Sequence, residues 1–219
     1  YLFGFYFLII SLEIDYRLAI IGAISFGFSS YFFIIIEAGH NTKAHSIGYL
    51  APILASVLMV YQGKLFLGAS LTALFSSLMN NANHLQITYY LVILLLVVGV
   101  VHLIKAINEK KFSLFLKQSV FLIVAGLLGS LTSSSKLLST IEYGEQSIRG
   151  KSELTSNEEV KTTGLDKDYA TAWSYGLSES FTLLIPNFHG GASNGALGTN
   201  SKTYELVKNN PQANQIIKQ

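Results

Sequence analysis

Residues 34–47 read I-I-I-E-A-G-H-N-T-K-A-H-S-I and separate two strongly apolar runs, residues 18–36 and 46–61. The stretch gathers a set of polar and ionisable side chains, which are Glu37, His40, Asn41, Lys43 and His45. Ionisable groups at the end of a membrane-spanning segment are costly to desolvate, so this pattern indicates a functional site. The alternative is a solvated polar loop between two helices. The residues alone do not decide between a functional site and such a loop.

The composition around this stretch is typical of a membrane protein. Half of the residues are hydrophobic and 13% are charged, which lies outside the usual range of soluble globular domains. The first 135 residues hold seven Lys or Arg and four Asp or Glu, whereas the shorter remainder holds eight and nine. The contrast predicts a transmembrane helical region at 1–135 and an extracytoplasmic segment, part of an α-rich domain, at 136–219.

Several function classes are excluded by the same counts. The net charge of +2 is too small and too scattered for a nucleic-acid partner. The chain has no cysteine, so it has neither a disulfide framework nor a thiol nucleophile. Its apolar start at Tyr1 lacks the basic region and cleavage site of a signal peptide.

Hydropathy predicts a mainly α, polytopic transmembrane bundle of about six spans. Residues 1–12 are shorter than the roughly 20 helical residues that cross a hydrocarbon core, so we expect a truncated first span. Pro52 should kink its helix, and the small residues of 65–79 favour burial against other helices. The runs 46–61 and 65–79 are short, which leaves open whether they cross fully. The apolar runs after the first are 18–36, 46–61, 65–79, 85–104 and 120–131.

Basic residues in the connections between these runs predict the orientation. If each run crosses once, Lys43 lies at one end of the bundle and six basic residues lie at the other. The basic end should be cytoplasmic, which predicts a multi-pass protein of the bacterial cytoplasmic membrane with residues 136–219 outside. The six basic residues are Arg17, Lys64, Lys105, Lys110, Lys111 and Lys117.

The 34–47 stretch has a specific chemical interpretation if it is helical. Glu37, His40 and Lys43 then fall three residues apart and share a face. A carboxylate that can accept a proton would lie beside cations that can bind a phosphate. A metal site needs more ligands, because E-x-x-H is half of a di-metal motif and no second copy occurs. No cofactor is therefore predicted, although a divalent metal remains open.

Two further groups of residues are candidates for substrate binding. Asn83, His84 and Gln86 follow the run 65–79 and are predicted at the same end as His40 and Lys43. Helix capping and interfacial anchoring are the stronger explanation of such residues, and their position at the same end as the first polar stretch favours binding. Trp173 and Tyr175 suit stacking on a sugar ring, although aromatic residues of a small domain are more often core. The glycine-rich loop at 187–198 matches no nucleotide-binding motif.

Strings spread along nearly the whole chain resemble the YfhO family of bacterial multi-pass membrane proteins, especially its Bacteroidetes members. They are EAGHNTKAH at 37–45, NANHLQITYY at 81–90, RGKSELT at 149–155, GLDKDYATAWSYG at 164–176 and FTLLIPNF at 181–188. Family members are much longer, so the resemblance implies an internal piece that is inactive by itself.

The YfhO family is similar to GT-C glycosyltransferases, integral membrane enzymes that move a sugar from a polyprenyl-phosphate carrier to an acceptor on the outer face. The resemblance implies that an acid activates the acceptor hydroxyl while cations stabilise the departing phosphate. In such enzymes the principal acid lies in the first extracytoplasmic loop, upstream of Tyr1 here, so Glu37 is only a candidate. The implied partners are membrane lipid, a polyprenyl-phosphate-sugar donor and a cell-envelope glycan or lipid acceptor.

Two other functions compete with the transferase. A permease or flippase would also use polar residues near membrane depth, but it usually places them near the midplane on discontinuous helices. Here they gather at one rim, which favours the enzyme. A non-catalytic assembly partner of a cell-envelope complex would leave both polar stretches without a ligand.

Overall fold

The computed structural model describes residues 1–145, 171–172, 174–185, 188–189, 200 and 202–209, and all regular elements in these ranges are helices. The chain divides into two units, Tyr1–Ser174 and Tyr175–Gln219. In the second unit, a 3₁₀ helix covers Glu179–Leu183 and α9 covers Lys202–Val207. The first unit contains α1 (Leu2–Ser11), α2 (Tyr16–Gly27), α3 (Ser30–Glu37), α4 (Asn41–Tyr61), α5 (Leu65–Asn81), α6 (Leu85–Asn108), α7 (Phe112–Leu131) and α8 (Ser134–Glu145).

The helical membrane character predicted from composition is confirmed. Within the described residues, 4 stretches are long and apolar enough to cross a membrane: Tyr16–Glu37, Asn41–Tyr61, Leu85–Asn108 and Phe112–Leu131. Leu96 on α6 and Leu127 on α7 are 65% and 61% exposed, as expected of side chains that face lipid. With 10 and 17 residues, α1 and α5 are shorter, so six spans remain a prediction.

Most turns between these helices use one backbone geometry. After α4, the Gly63 N–H donates to the Val60 carbonyl and the Lys64 N–H donates to the Met59 carbonyl. This is the Schellman pattern, in which a residue with positive φ ends the helix. Gly63 has φ +97°, and Gly39 has φ +77° after α3. The predicted tight turn at 62–64 is confirmed.

The polar link predicted between the last two spans is mostly helical. Lys105 belongs to α6 and Lys117 to α7, so only residues 109–111 form the turn, with Lys110 at φ 59°. Hydropathy marks where a helix leaves the hydrocarbon, but charged residues with good helix propensity continue the helix beyond that point. The apolar run 120–131 is therefore the second half of a longer helix, and α7 begins at Phe112.

Glycines bring the central helices into close contact. At Gly68 on α5, an added Cβ would lie 2.6 Å from Val60 Cγ2 and 2.7 Å from the Ser56 carbonyl oxygen on α4. At Gly129 on α7, it would lie 2.7 Å from the Ala73 carbonyl oxygen of α5. The small face of α5 is therefore buried between α4 and α7, as the sequence predicts.

α4 continues as one helix through Pro52. Proline has no backbone N–H, so the Gly48 carbonyl one turn earlier lacks its usual donor. Gly4 of α1 packs at this point, where an added Cβ would lie 2.9 Å from Pro52 Cδ and 3.3 Å from the Gly48 oxygen. The close approach of α1 therefore covers the Gly48 carbonyl that Pro52 leaves without a donor.

The stretch Tyr16–Glu37 is not one helix. α2 ends at Gly27, and Ser29 has φ −57° and ψ 134° before α3 begins. Leu2 of α1 packs against the break, since a Cβ on Gly27 would lie 2.5 Å from Leu2 Cδ2. The span predicted over 18–36 is confirmed as long and apolar enough to cross, but it consists of two helices, and α1 packs at the break between them.

Candidate functional site

The two polar stretches of the sequence lie at one end of the bundle, which we call the polar end. Ile47 of α4 and Ile87 of α6 pack on the same buried cluster as Met79 of α5. The turns after α1, α4 and α6 form the basic end. There, Gln62 Nε2 donates to the Ser11 carbonyl oxygen over 2.6 Å.

The 34–47 stretch contains a turn, so its polar side chains do not share a helix face. α3 ends at Glu37 and α4 begins at Asn41, with the left-handed Gly39 between them. The His40 N–H donates to the Ile35 carbonyl, which completes the Schellman turn. The expectation that Glu37, His40 and Lys43 line one face was wrong, because it required helix continuity through this glycine.

Lys43 already has an aromatic partner within the protein. Its ammonium lies 5.4 Å from the centre of the Tyr31 ring, within range of a cation–π contact. Glu37 is exposed and makes no ion pair with any described residue. His40 is also exposed and occupies the N-cap position of α4 without a side-chain capping bond.

Asn41 and His45 line a common cavity of about 410 Å³ at the polar end. They lie one turn apart on α4, and Tyr49 extends the same face by another turn. The Tyr1 hydroxyl forms part of the wall and donates to the Ala44 carbonyl over 2.6 Å. The cavity thus combines polar groups at the rim with aromatic walls. Tyr1 and Tyr49 were not predicted, although the spacing from His45 to Tyr49 is a signal that could have revealed Tyr49.

The second polar stretch surrounds the start of α6. Asn83 adopts a left-handed conformation with φ 57° and forms the turn. His84 occupies the N-cap position, and its Nδ1 atom is buried without a hydrogen-bond partner among the described residues. Gln86 Nε2 donates to the Tyr90 hydroxyl over 2.6 Å on an exposed face. Of Asn83, His84 and Gln86, only His84 therefore has a buried polar atom without a partner, and Ser46 Oγ on α4 is the other such atom among the described residues.

A groove of about 690 Å³ runs between α4, α5, α6 and α7. At the polar end, its lining includes Asn80, Thr88 and Ser130, and Asn80 Nδ2 donates to Ser130 Oγ over 3.1 Å. The rest of the lining is mainly aliphatic, including the exposed Leu96 and Leu127. The sequence analysis missed this groove because its residues come from four helices and only their packing brings them together.

The predicted binding residues do not all meet in one cavity. Asn41 and His45 do, whereas His40 and His84 line neither that cavity nor the groove. Tyr175 belongs to the second unit, where its side chain is 73% exposed. Trp173 lies outside the described residues, as do the strings at 149–155 and most of 164–176.

No group of three or more His, Asp or Glu that could hold a metal ion occurs among the described residues. In comparisons with known proteins, no family model, curated protein or solved structure matches the chain. The fold and the geometry of the polar end therefore carry the functional proposal.

Proposed function

We propose that the chain belongs to an integral membrane glycosyltransferase of the GT-C type. It transfers a sugar from a polyprenyl-phosphate carrier to a cell-envelope acceptor at the outer face of the bacterial cytoplasmic membrane. The resemblance to the YfhO family supports this proposal, and so does the distribution of basic residues, which makes the polar end the outer one.

One observation carries the proposal: a polar cavity lies at the same end of the bundle as the polar part of a groove that is otherwise lined mainly by aliphatic side chains. An amphiphilic donor needs both features, because its phosphate and sugar require hydrogen-bond donors and its chain requires an apolar surface. Asn41 and His45 supply polar groups in the cavity. The exposed Leu96 and Leu127 give the groove a lipid-facing rim.

The residues of the polar end have distinct roles in this proposal. The attacking acceptor oxygen forms a bond to the anomeric carbon, and the bond from that carbon to the carrier phosphate breaks, so the phosphate leaves with the electron pair. The proton of the hydroxyl passes to a carboxylate, for which Glu37 is the candidate in this sequence because its side chain is exposed at the polar end. His45 and Asn41 donate to the phosphate or sugar, and Lys43 adds positive charge.

Sugar transfer in proteoliposomes tests the proposal, with the intact membrane protein and a polyprenyl-phosphate-sugar donor. Asn41→Ala and His45→Ala should each weaken donor binding by about 1.5–3 kcal/mol if they bond the charged phosphate. Gly126→Leu should weaken it too, because Gly126 lines the groove and has nothing within 4 Å of an added Cβ. The matched control is Glu13→Ala, an exposed residue in a turn at the basic end. Unchanged transfer in all three variants would refute the proposal.

The break between α2 and α3 favours a permease or flippase as the second candidate. Discontinuous helices in a membrane often mark a substrate path, and Phe28 and Ser29 interrupt this one. A flippase would move a fluorescent polyprenyl phosphate across vesicles without any acceptor. If the protein flips the lipid but transfers no sugar, the proposed function is that of a transporter and not of an enzyme. If neither occurs, the remaining interpretation is the non-catalytic assembly partner.

A further inference from the structure

We propose that the basic end of the bundle contains a separate binding site for an anionic phospholipid. Its phosphate lies beside Lys105 and Lys111, and one acyl chain enters the adjoining half of the groove. The site is at the opposite end from the transferase cavity, and its test does not depend on that activity.

The headgroup part of this site is a cavity of about 190 Å³ between the end of α6 and the start of α7. At roughly 30 Å³ for each water, it has room for about six waters and therefore for a phosphate group. His102, Lys105, Glu109 and Lys111 contribute side chains to the lining. Two lysine side chains face a single carboxylate there, so an anion completes the charge balance.

The lysines are available to a ligand. Their side chains are 67% and 61% exposed, and the Nζ atoms of Lys105 and Lys111 lie 3.9 and 2.8 Å from the Glu109 carboxylate. Exposed ion pairs of this kind are weak. A phosphate can therefore compete with Glu109 for both lysines.

The apolar part of the site adjoins the headgroup cavity. Tyr61 and Phe115 line both the cavity and the groove. The Tyr61 ring stacks on His102 with centroids 4.2 Å apart and on Phe115 with centroids 5.8 Å apart, so these aromatic rings form a dividing wall between the two, and a lipid would extend around its rim. A free anion would make no favourable contact with the aliphatic groove beyond this wall, whereas a phospholipid fills both the cavity and the groove. The occupant to which the geometry points is thus a lipid with a net negative headgroup.

Native mass spectrometry of the purified protein in a neutral detergent tests the site. Dioleoyl phosphatidylglycerol is the probe, with dioleoyl phosphatidylcholine, glycerol phosphate and inorganic phosphate compared with it. We expect selective retention of phosphatidylglycerol. Retention of the free phosphates to the same extent would overturn the lipid assignment and leave a soluble-anion site.

Charge variants distinguish a specific lipid site from general electrostatic attraction between the basic end and an anionic lipid. Lys105→Gln and Lys111→Gln should each reduce phosphatidylglycerol retention about fivefold. Lys117→Gln removes the same charge from an exposed position on α7 that does not line the cavity, so it should leave retention unchanged. Glu109→Gln should increase retention, because it frees both lysines. Equal losses in the three lysine variants would overturn the proposal, as would reduced retention in Glu109→Gln.

A groove variant tests the acyl chain independently of charge. Gly99 lines the groove near the dividing wall, and an added Cβ would lie 4.0 Å from the Tyr61 hydroxyl. Gly99→Leu should therefore fill that half of the groove and reduce phosphatidylglycerol retention. Thermal unfolding of the same sample shows whether the variant is folded. A folded Gly99→Leu protein that retains the lipid fully would refute the chain assignment.

Discussion

The side-chain amide of Gln118 on α7 donates to the Val60 carbonyl oxygen of α4 over 2.8 Å. The same nitrogen lies 3.2 Å from the Tyr61 carbonyl oxygen. The last carbonyls of a helix have no donor within that helix, and Tyr61 is the last residue of α4. A buried glutamine of one helix thus satisfies the end of another.

Gln118→Leu should lower the free energy of unfolding by about 0.5–1.5 kcal/mol, because it removes the hydrogen bonds to the Val60 and Tyr61 carbonyls while the Val60 carbonyl keeps the Gly63 N–H. Thermal unfolding in detergent measures the change. Gln62→Leu is the control, since its amide donates to the Ser11 carbonyl but its side chain is exposed. A loss at Gln118 no larger than the loss at Gln62 would show that the contact between α4 and α7 contributes little.

Gly129→Ala should lower stability by about 1–3 kcal/mol through overpacking. Its Cβ would lie 2.7 Å from a backbone oxygen of α5, which a side-chain rotation cannot relieve. Gly126→Ala, one turn earlier on α7, meets nothing within 4 Å and should be neutral or stabilising by about 0.5–1 kcal/mol. Equal unfolding temperatures for the two variants would contradict the close packing of α5 and α7.

The Lys111 ammonium, which hydrogen-bonds the Glu109 carboxylate, lowers the pKa of that carboxyl, and Lys105 adds a smaller effect in the same direction. A lowered folded-state pKa stabilises the protein above the ordinary carboxyl pKa, and this contribution is lost as the pH falls through the folded-state value. Lys111→Met should raise the Glu109 pKa more than Lys105→Met does. A carbon-13 NMR titration of labelled glutamate measures both, and the opposite ranking would contradict the assigned cause.

The sequence predicts the fold well where one helix determines the signal. The small residues of α5 predict its burial against neighbouring helices, and Gly63 predicts a turn. The break at Phe28 and Ser29 could not be predicted, because it depends on Leu2 packing against Gly27 from another helix. Local patterns specify helices, but contacts between helices decide where they stop.

The candidate site was predictable only in part for the same reason. Asn41 and His45 are one turn apart and therefore lie on one helix face, but Tyr1 and Ile36 from other segments complete their cavity. Asn80 and Ser130 are 50 residues apart and meet only because α5 packs on α7. A polar stretch in the sequence thus locates the end of the bundle, while the cavity walls come from distant segments.

Labelling of single cysteines tests the orientation, and the absence of native cysteine makes the background clean. Asn41→Cys should react with a membrane-impermeant maleimide added to intact cells. Lys110→Cys should react only after permeabilisation, because basic turns stay in the cytoplasm. Both positions are exposed. Reaction of both from the same side would overturn the number of crossings between them.

The last prediction concerns His40 and His84, which begin α4 and α6 at the polar end. If one carrier phosphate contacts both, the effects of His40→Ala and His84→Ala on sugar transfer should be non-additive, because losing either group misplaces the same phosphate. The buried Nδ1 of His84 has no hydrogen-bond partner among the described residues, so it has the capacity to bond a phosphate. The two residues line no common cavity, so binding would have to draw the ends of α4 and α6 together.

A double-mutant cycle in the intact membrane protein measures this coupling, with transfer from a polyprenyl-phosphate-sugar donor and thermal stability scored side by side. A coupling energy above about 0.5 kcal/mol in transfer supports a shared phosphate. Helix ends that act independently should instead give additive effects that appear in stability alone, and these should be small because neither side chain makes a capping hydrogen bond. That second outcome would remove both histidines from the site. Asn41 and His45 would then remain as its polar groups, because their common cavity does not depend on His84.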